Sequence, residues 1–232
     1  MRRRAEEILE LVDKTEQEMV QQDSQIEGNV AIGCGDMSAV QEIASLIHSF
    51  SELYPAVTFD LYTATADHIK ERIDRGITDI GLLLEPVEMD KYEFIRMKEK
   101  ERWVVVMGPG DPLTQKQKIK ASDLKDKPLI LPKRVSVRSE LANWFGEYYK
   151  DLHIYFTSNL TSNSSIMAHY GLGYPLVIEG SLAFWDKNKI AYRPLTPELY
   201  ATCSLAWKRN WFFSPAVEKF ISFAKSYLVH FA

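Results

Sequence analysis

Residues 28–84 read GNVAIGCGDMSAVQEIASLIHSFSELYPAVTFDLYTATADHIKERIDRGITDIGLLL, and their order of patterns decides the fold. Asn29 to Gly33 is a short β run that stops at the turn Gly33-Cys34-Gly35. Val40, Ile43, Ala44, Ile47 and Phe50 then recur at helical spacing, so 37–50 is a helix, with Asp36 or Ser38 available as its N-cap and Tyr54-Pro55 closing it. A strand follows over 57–62. Thr65 caps a helix that runs to about Asp74, Gly76 ends it, and 79–84 is an apolar strand. Strand, helix, strand, helix, strand implies a parallel sheet with helices on its faces, an α/β fold.

Outward from this segment the same alternation returns. A loop rich in Glu and Lys leads to a strand at 103–107, which runs into Gly108-Pro109-Gly110-Asp111-Pro112, a change of direction. Strands at 128–131, 153–157 and 176–178 alternate with helices at 136–149 and 162–170. A strand at 202–207 then precedes a closing helix opened by Ser214-Pro215, where proline's missing N–H costs nothing. On the N-terminal side, Arg2 to Gln22 is one amphipathic helix with a narrow apolar stripe (Ile8, Leu11, Val12, Met19). Such a stripe suits pairing with a second helix as well as packing on a domain.

The composition restricts function. A formal charge of -4 without a basic stripe argues against nucleic-acid binding by this polypeptide itself. Cys34 and Cys203 are far apart and have no CxxC partner, which fits a reducing cytoplasm. Neither a signal-peptide pattern nor a run of roughly 20 apolar residues is present, so neither export nor membrane insertion is expected. The five histidines make no metal-ligand or triad-like pattern, and no phosphate-binding or nucleophile-elbow motif occurs; no enzyme activity, metal or cofactor is expected.

Several segments together resemble the LysR-type transcriptional regulators, in their regulatory half. Gly28-Asn29-Val30-Ala31-Ile32-Gly33 is similar to that domain's first strand, and Phe50…Tyr54-Pro55-Ala56-Val57 to its Tyr-Pro-x-Val signature. Gly76-Ile77-Thr78-Asp79-Ile80, Asp111-Pro112-Leu113 and Gly171-Leu172-Gly173-Tyr174 resemble three further motifs, in order. Asp111 replaces the usual histidine, and Glu179 falls near a position where proline is frequent, which would alter the charge of the cleft.

The resemblance implies two Rossmann-like lobes joined by two crossover strands, a type II periplasmic-binding-protein-like fold, preceded by a linker helix. Its parts are linker helix and connector 1–27, lobe I 28–106, lobe II 107–201, and a return strand and closing helix 202–232. The family's winged helix-turn-helix would precede Arg2, so DNA contact is expected only through a domain outside this chain, as in a fragment or, less readily, a stand-alone sensor. A small-molecule effector, polar or anionic, would bind between the lobes, and the chain would self-associate as a homodimer or tetramer. A transport-type solute-binding protein is the alternative on the same architecture.

In such sheets ligands bind beyond the carboxyl ends of strands, where helix N-termini present free N–H groups. That rule selects Asp36, Met37, Ser38, Thr63 and Thr65 on lobe I, and Pro132, Arg134, Ser162 and Asn163 on lobe II. Ser38 and Thr65 serve equally as simple caps, and Arg134, preferred over Arg138, would meet a carboxylate.

Overall fold

Two mixed sheets carry the chain, and the residues that alternate along the quoted segment set the first. The computed structural model describes residues 26–230; the helix and connector expected over 1–27 fall almost entirely outside the described residues. The first round is β1 (Gly28–Cys34), α1 (Val40–Leu53), β2 (Val57–Thr63), α2 (Ala66–Asp74) and β3 (Ile80–Leu84). β1 pairs in parallel with β2 and β3, as the alternation requires. Next come β4 (Tyr92–Arg96) and β5 (Glu101–Met107).

The second round is α3 (Ala121–Leu124), β6 (Leu129–Pro132), α4 (Val135–Phe145), β7 (Ile154–Ser158), α5 (Thr161–His169) and β8 (Tyr174–Ile178). The short β9 (Ala191–Pro194) and β10 (Tyr200–Ala201) lead to β11 (Cys203–Lys208) and the closing helix α6 (Pro215–His230). Sheet order is β2-β1-β3-β11-β4 in the first lobe and β10-β5-β8-β6-β7 in the second, with β9 also on β5.

Both faces of the first sheet are covered. Val30, Ile32 and Cys34 on β1 are buried in a cluster shared with Phe50 of α1 and Phe220 of α6. On the opposite face Gly33 and Gly81 lie side by side, and a Cβ on either would come within 2.7 Å of Ile69 Cγ2 in α2. Two glycines therefore let α2 approach the sheet closely. Phe50 has no exposed surface and packs its ring against Tyr54, Phe59, Phe220 and Phe223, with centroids 4.5–6.1 Å apart.

The segment expected to be a Glu- and Lys-rich loop contains β4, which lies antiparallel to β11 at the sheet edge. An edge strand is wetted on one side, so Glu93 and Arg96 interrupt the apolar pattern. β9 and β10 were not expected either; each is short and only β10's Ala201 is buried. The crossovers are also narrower than whole strands. β5, expected to close lobe I at residue 106, is bonded in the second sheet, and β11 in the first. The exchange lies at 97–101 and at Thr202, where Glu101 and Arg102 pair with Ala201 and Tyr200.

Replacing Phe50 by alanine empties the centre of this aromatic cluster and should destabilise the protein by about 3–5 kcal/mol in urea denaturation. A loss under about 1 kcal/mol would mean that the site collapses around the smaller side chain.

Candidate effector cleft

The cleft opens where the carboxyl ends of both lobes' parallel strands face each other. Its cavity measures about 120 Å³. Lobe I supplies the loop after β1 (Gly35, Asp36, Met37), the loop after β2 (Ala64, Thr65, Ala66) and Leu84. Lobe II supplies the ends of β6 and β7 and the first turns of α4 and α5, including Lys133, Arg134, Ser158, Asn159, Thr161 and Ser164. Trp103, Leu176 and Ile178 form the apolar floor along β5 and β8.

Five of the nine residues expected at the site line the cleft: Asp36, Met37, Thr65, Pro132 and Arg134. Ser38, Thr63, Ser162 and Asn163 lie outside its lining. Thr63 is exposed at the end of β2. Ser162 and Asn163 are exposed because the helical repeat turns Thr161 and Ser164, three apart, toward the cleft and the two residues between them outward. Thr65 stands at the cap position of α2, but its hydroxyl lies 3.1 Å from His68 Nδ1 instead of capping a backbone N–H.

Arg134 lines the cleft yet is already engaged. Its Nη1 donates to the Leu84 carbonyl at 3.0 Å and its Nη2 to the Pro86 carbonyl at 2.8 Å, while Nε lies 3.3 Å from Asp67 Oδ1. The expected carboxylate-binding arginine is thus a clasp from lobe II to lobe I. Glu179, expected to charge the cleft, instead pairs with Arg102 at 2.7 Å, away from the cleft lining.

Helix α1 begins at Val40, and neither Asp36 nor Ser38 caps it. The cap comes from a distant strand: Glu101 Oε1 accepts from Ala39 N at 3.3 Å. Glu101 is completely buried, with the N–H groups of Ser38 and Gly180 and the Ser38 hydroxyl also beside its carboxylate. A Cβ on Gly180 would collide with Ser38 N and come within 2.6 Å of Glu101 Oε2, so only glycine lets lobe II approach this closely. Burial raises the Glu101 pKa, and its backbone donors oppose the rise only in part. Burial, with Glu101 as a second cause, also pushes the Cys203 thiol far up, which makes it a poor nucleophile. Nothing in the local sequence marks Glu101, Trp103 or Ile178 as cleft or hinge residues; the crossover brings them there.

These features define a two-lobed protein with a cleft at the junction of its sheets. The family model of the LysR substrate binding domain matches residues 23–229, and the chain belongs to that family. It is 28% identical over 220 residues to the uncharacterized HTH-type transcriptional regulator YvbU of Bacillus subtilis, covering 94% of this chain and 74% of that protein. The effector binding domain of QuiR in complex with shikimate superposes with a TM-score of 0.76 at 20% identity, covering 88% of this chain and 99% of that one. The regulatory domain of Synechocystis CcmR in complex with 2-PG gives 0.69 at 18% identity, covering 87% and 98%. The kinship is with transcriptional regulators, which leaves the transport-type alternative disfavoured.

A raised carboxylate pKa means the folded state keeps a proton that the unfolded chain has released, so stability falls as pH rises from about 4.5 through the raised value. Glu101→Gln removes this titration. Urea denaturation between pH 4 and 8 should show wild type losing stability relative to the variant as pH increases; parallel curves would contradict the assignment.

Proposed function

We propose that this chain is the sensor of a LysR-type regulator: a small anionic molecule enters the cleft, ties the lobes together and thereby shifts the arrangement of an oligomer that controls transcription. The observation that carries this reading is the convergence of helix N-termini from lobe II and apolar walls from both lobes on one cleft. Neither α4 nor α5 has a side-chain cap at its start, so their first N–H groups remain open to an acceptor. The ligands carried by the QuiR and CcmR domains support the same reading. In this reading the chain acts in the cytoplasm, has no catalytic role, and reaches DNA through a helix-turn-helix domain of the kind its relatives are named for. Among the described residues no helix is long and apolar enough to cross a membrane.

A thermal-shift screen over small carboxylates, amino acids, sugars and aromatic acids tests the reading. A ligand that binds only the folded state adds about 2.7 kcal/mol of stability at a hundred times its Kd. At least one class should raise the melting temperature with saturation and change the fluorescence of Trp103, a change lost in Trp103→Phe. A screen without any saturable shift counts against a small-molecule sensor.

Self-association is proposed through α1 of one subunit beside β2 of another, an isologous arrangement. β2 is an edge strand, and Leu53 and Leu61 on these two elements are each more than half exposed. Leu61→Lys should lower the mass measured by analytical ultracentrifugation toward that of a monomer without lowering the melting temperature of the subunit. An unchanged mass would place the interface elsewhere.

A further inference from the structure

The base of lobe I, at the end of its sheet remote from the cleft, exposes apolar side chains beside the point where the described chain begins. β1 pairs in register with β3, Ile32 beside Ile80, and Asp79 is bonded through both backbone and side chain to Ala31, so the turn at 76–78 lies at the same end as Gly28. β11 runs antiparallel with Trp207 beside Ile80, which carries 208–214 to that end as well. Helix α6 starts there, its Ala216 Cβ 3.4 Å from where a Cβ on Gly28 would stand. Within this base Trp211 packs over Gly76, whose Cβ position lies 3.1 Å from the indole, and Ile77 follows in the chain. Ile77 and Trp211 are nearly half exposed, and Phe212 is wholly exposed. Singly exposed apolar residues need no explanation, but a group built on two aromatic rings marks a contact surface.

The rim of this surface is basic. Lys208 Nζ lies 3.8 Å above the Trp211 ring and donates to the Asp74 carbonyl at 3.0 Å, and Arg209 donates to the Tyr92 carbonyl at 3.3 Å. Neither cation has a carboxylate partner among the described residues, and the Asp74 carboxylate accepts from the Tyr92 hydroxyl at 2.8 Å.

The sequence that precedes Gly28 fits such a surface. Residues 5–22, which lie outside the described residues, carry Ile8, Leu11, Val12 and Met19 on the stripe that the two-lobed fold does not use. At helical spacing Glu7 and Glu18 flank this stripe on one side and Glu16 on the other, and Lys14 is the only cation of the segment. Its apolar face is therefore bordered by acids where the patch is bordered by bases. The connector 23–27 is short: at roughly 3.4 Å per residue it spans at most about 17 Å, which keeps the end of the segment close to the base of lobe I.

We infer that residues 5–22 dock as a helix on the base of their own lobe I. Ile8, Leu11, Val12 and Met19 cover Phe212, Trp211 and Ile77, and the flanking glutamates meet Lys208 and Arg209. A lone helix of this length is marginal in water and takes its stability from a contact of this kind. Docked, it moves with lobe I as one body, and that lobe sets its direction.

Hydrogen exchange of the full 232-residue chain, read by mass spectrometry, tests this. Amides of 8–20 should exchange at least tenfold more slowly than in Phe212→Asp and in Leu11→Asp. Phe212→Asp should keep the melting temperature of wild type, because this side chain is no part of the core. Equal protection in wild type and Phe212→Asp would overturn the docking site. Loss of protection in Leu11→Asp alone would assign the stripe to another surface and overturn it too. A short bismaleimide applied to the double variant Gln22→Cys, Asn210→Cys separates the chain's own segment from that of a second copy, since Cys34 and Cys203 are buried. The crosslink should form within one chain, at monomer mass. A crosslink that joins two chains would place the segment on a second copy, and this outcome, like the absence of any crosslink, would overturn the proposal.

Discussion

Glu101 is taken out of water at the point where the chain passes between the two sheets, and much of the molecule is arranged around that fact. An isolated buried carboxylate costs several kcal/mol, and only charge-directed donors offset it. Here the donors come from both lobes: the N–H groups that start α1 on one side and Gly180 on the other. Oε1 accepts from Ala39 N while Oε2 is buried without a hydrogen-bond partner among the described residues, so moving the first turn of α1 away would take the bonded donor from the carboxylate. The strand that carries Glu101 is also one of the two connections between lobes, so a single side chain couples helix position, lobe separation and strand exchange. Gly180 is the steric half of the same constraint, since any Cβ would push the lobes apart.

That constraint bears on the cleft beside it. The protein's own carboxylate occupies the start of α1, and the Arg134 guanidinium is engaged by carbonyls of lobe I. The starts of α2 on lobe I and of α4 and α5 on lobe II carry no side-chain cap, so open backbone donors reach the cleft from both lobes.

Much of the fold was legible because it rests on local periodicity. The run from β1 to β3 alternates apolar strands with amphipathic helices, and the buried residues Val30, Ile32, Ile43, Phe50 and Ile80 are those the pattern marks. The edge strand β4 was not legible, because solvent on one side admits Glu93 and Arg96. Of the loops named for the site, those after β1, β2 and β6 line the cleft, and starting α5 at Thr161 turns Thr161 and Ser164 toward it in place of Ser162 and Asn163. Arg134 was placed on the cleft wall, but its acceptors, Leu84 and Pro86, lie some fifty positions earlier in the chain. Glu101 left no local trace, since a glutamate at the start of a strand ordinarily faces water.

The clasp and the cleft together set the terms on which a ligand could act. Arg134 ties lobe II to the carbonyls of lobe I. A molecule with equal affinity for closed and open forms would change nothing, however tightly it bound. Its leverage lies in contacts that exist only when both walls are near, Met37 and Thr65 on lobe I facing Lys133 and Thr161 on lobe II. Either half alone would bind an open form equally well. Bridging the two walls with one rigid molecule makes lobe separation costly.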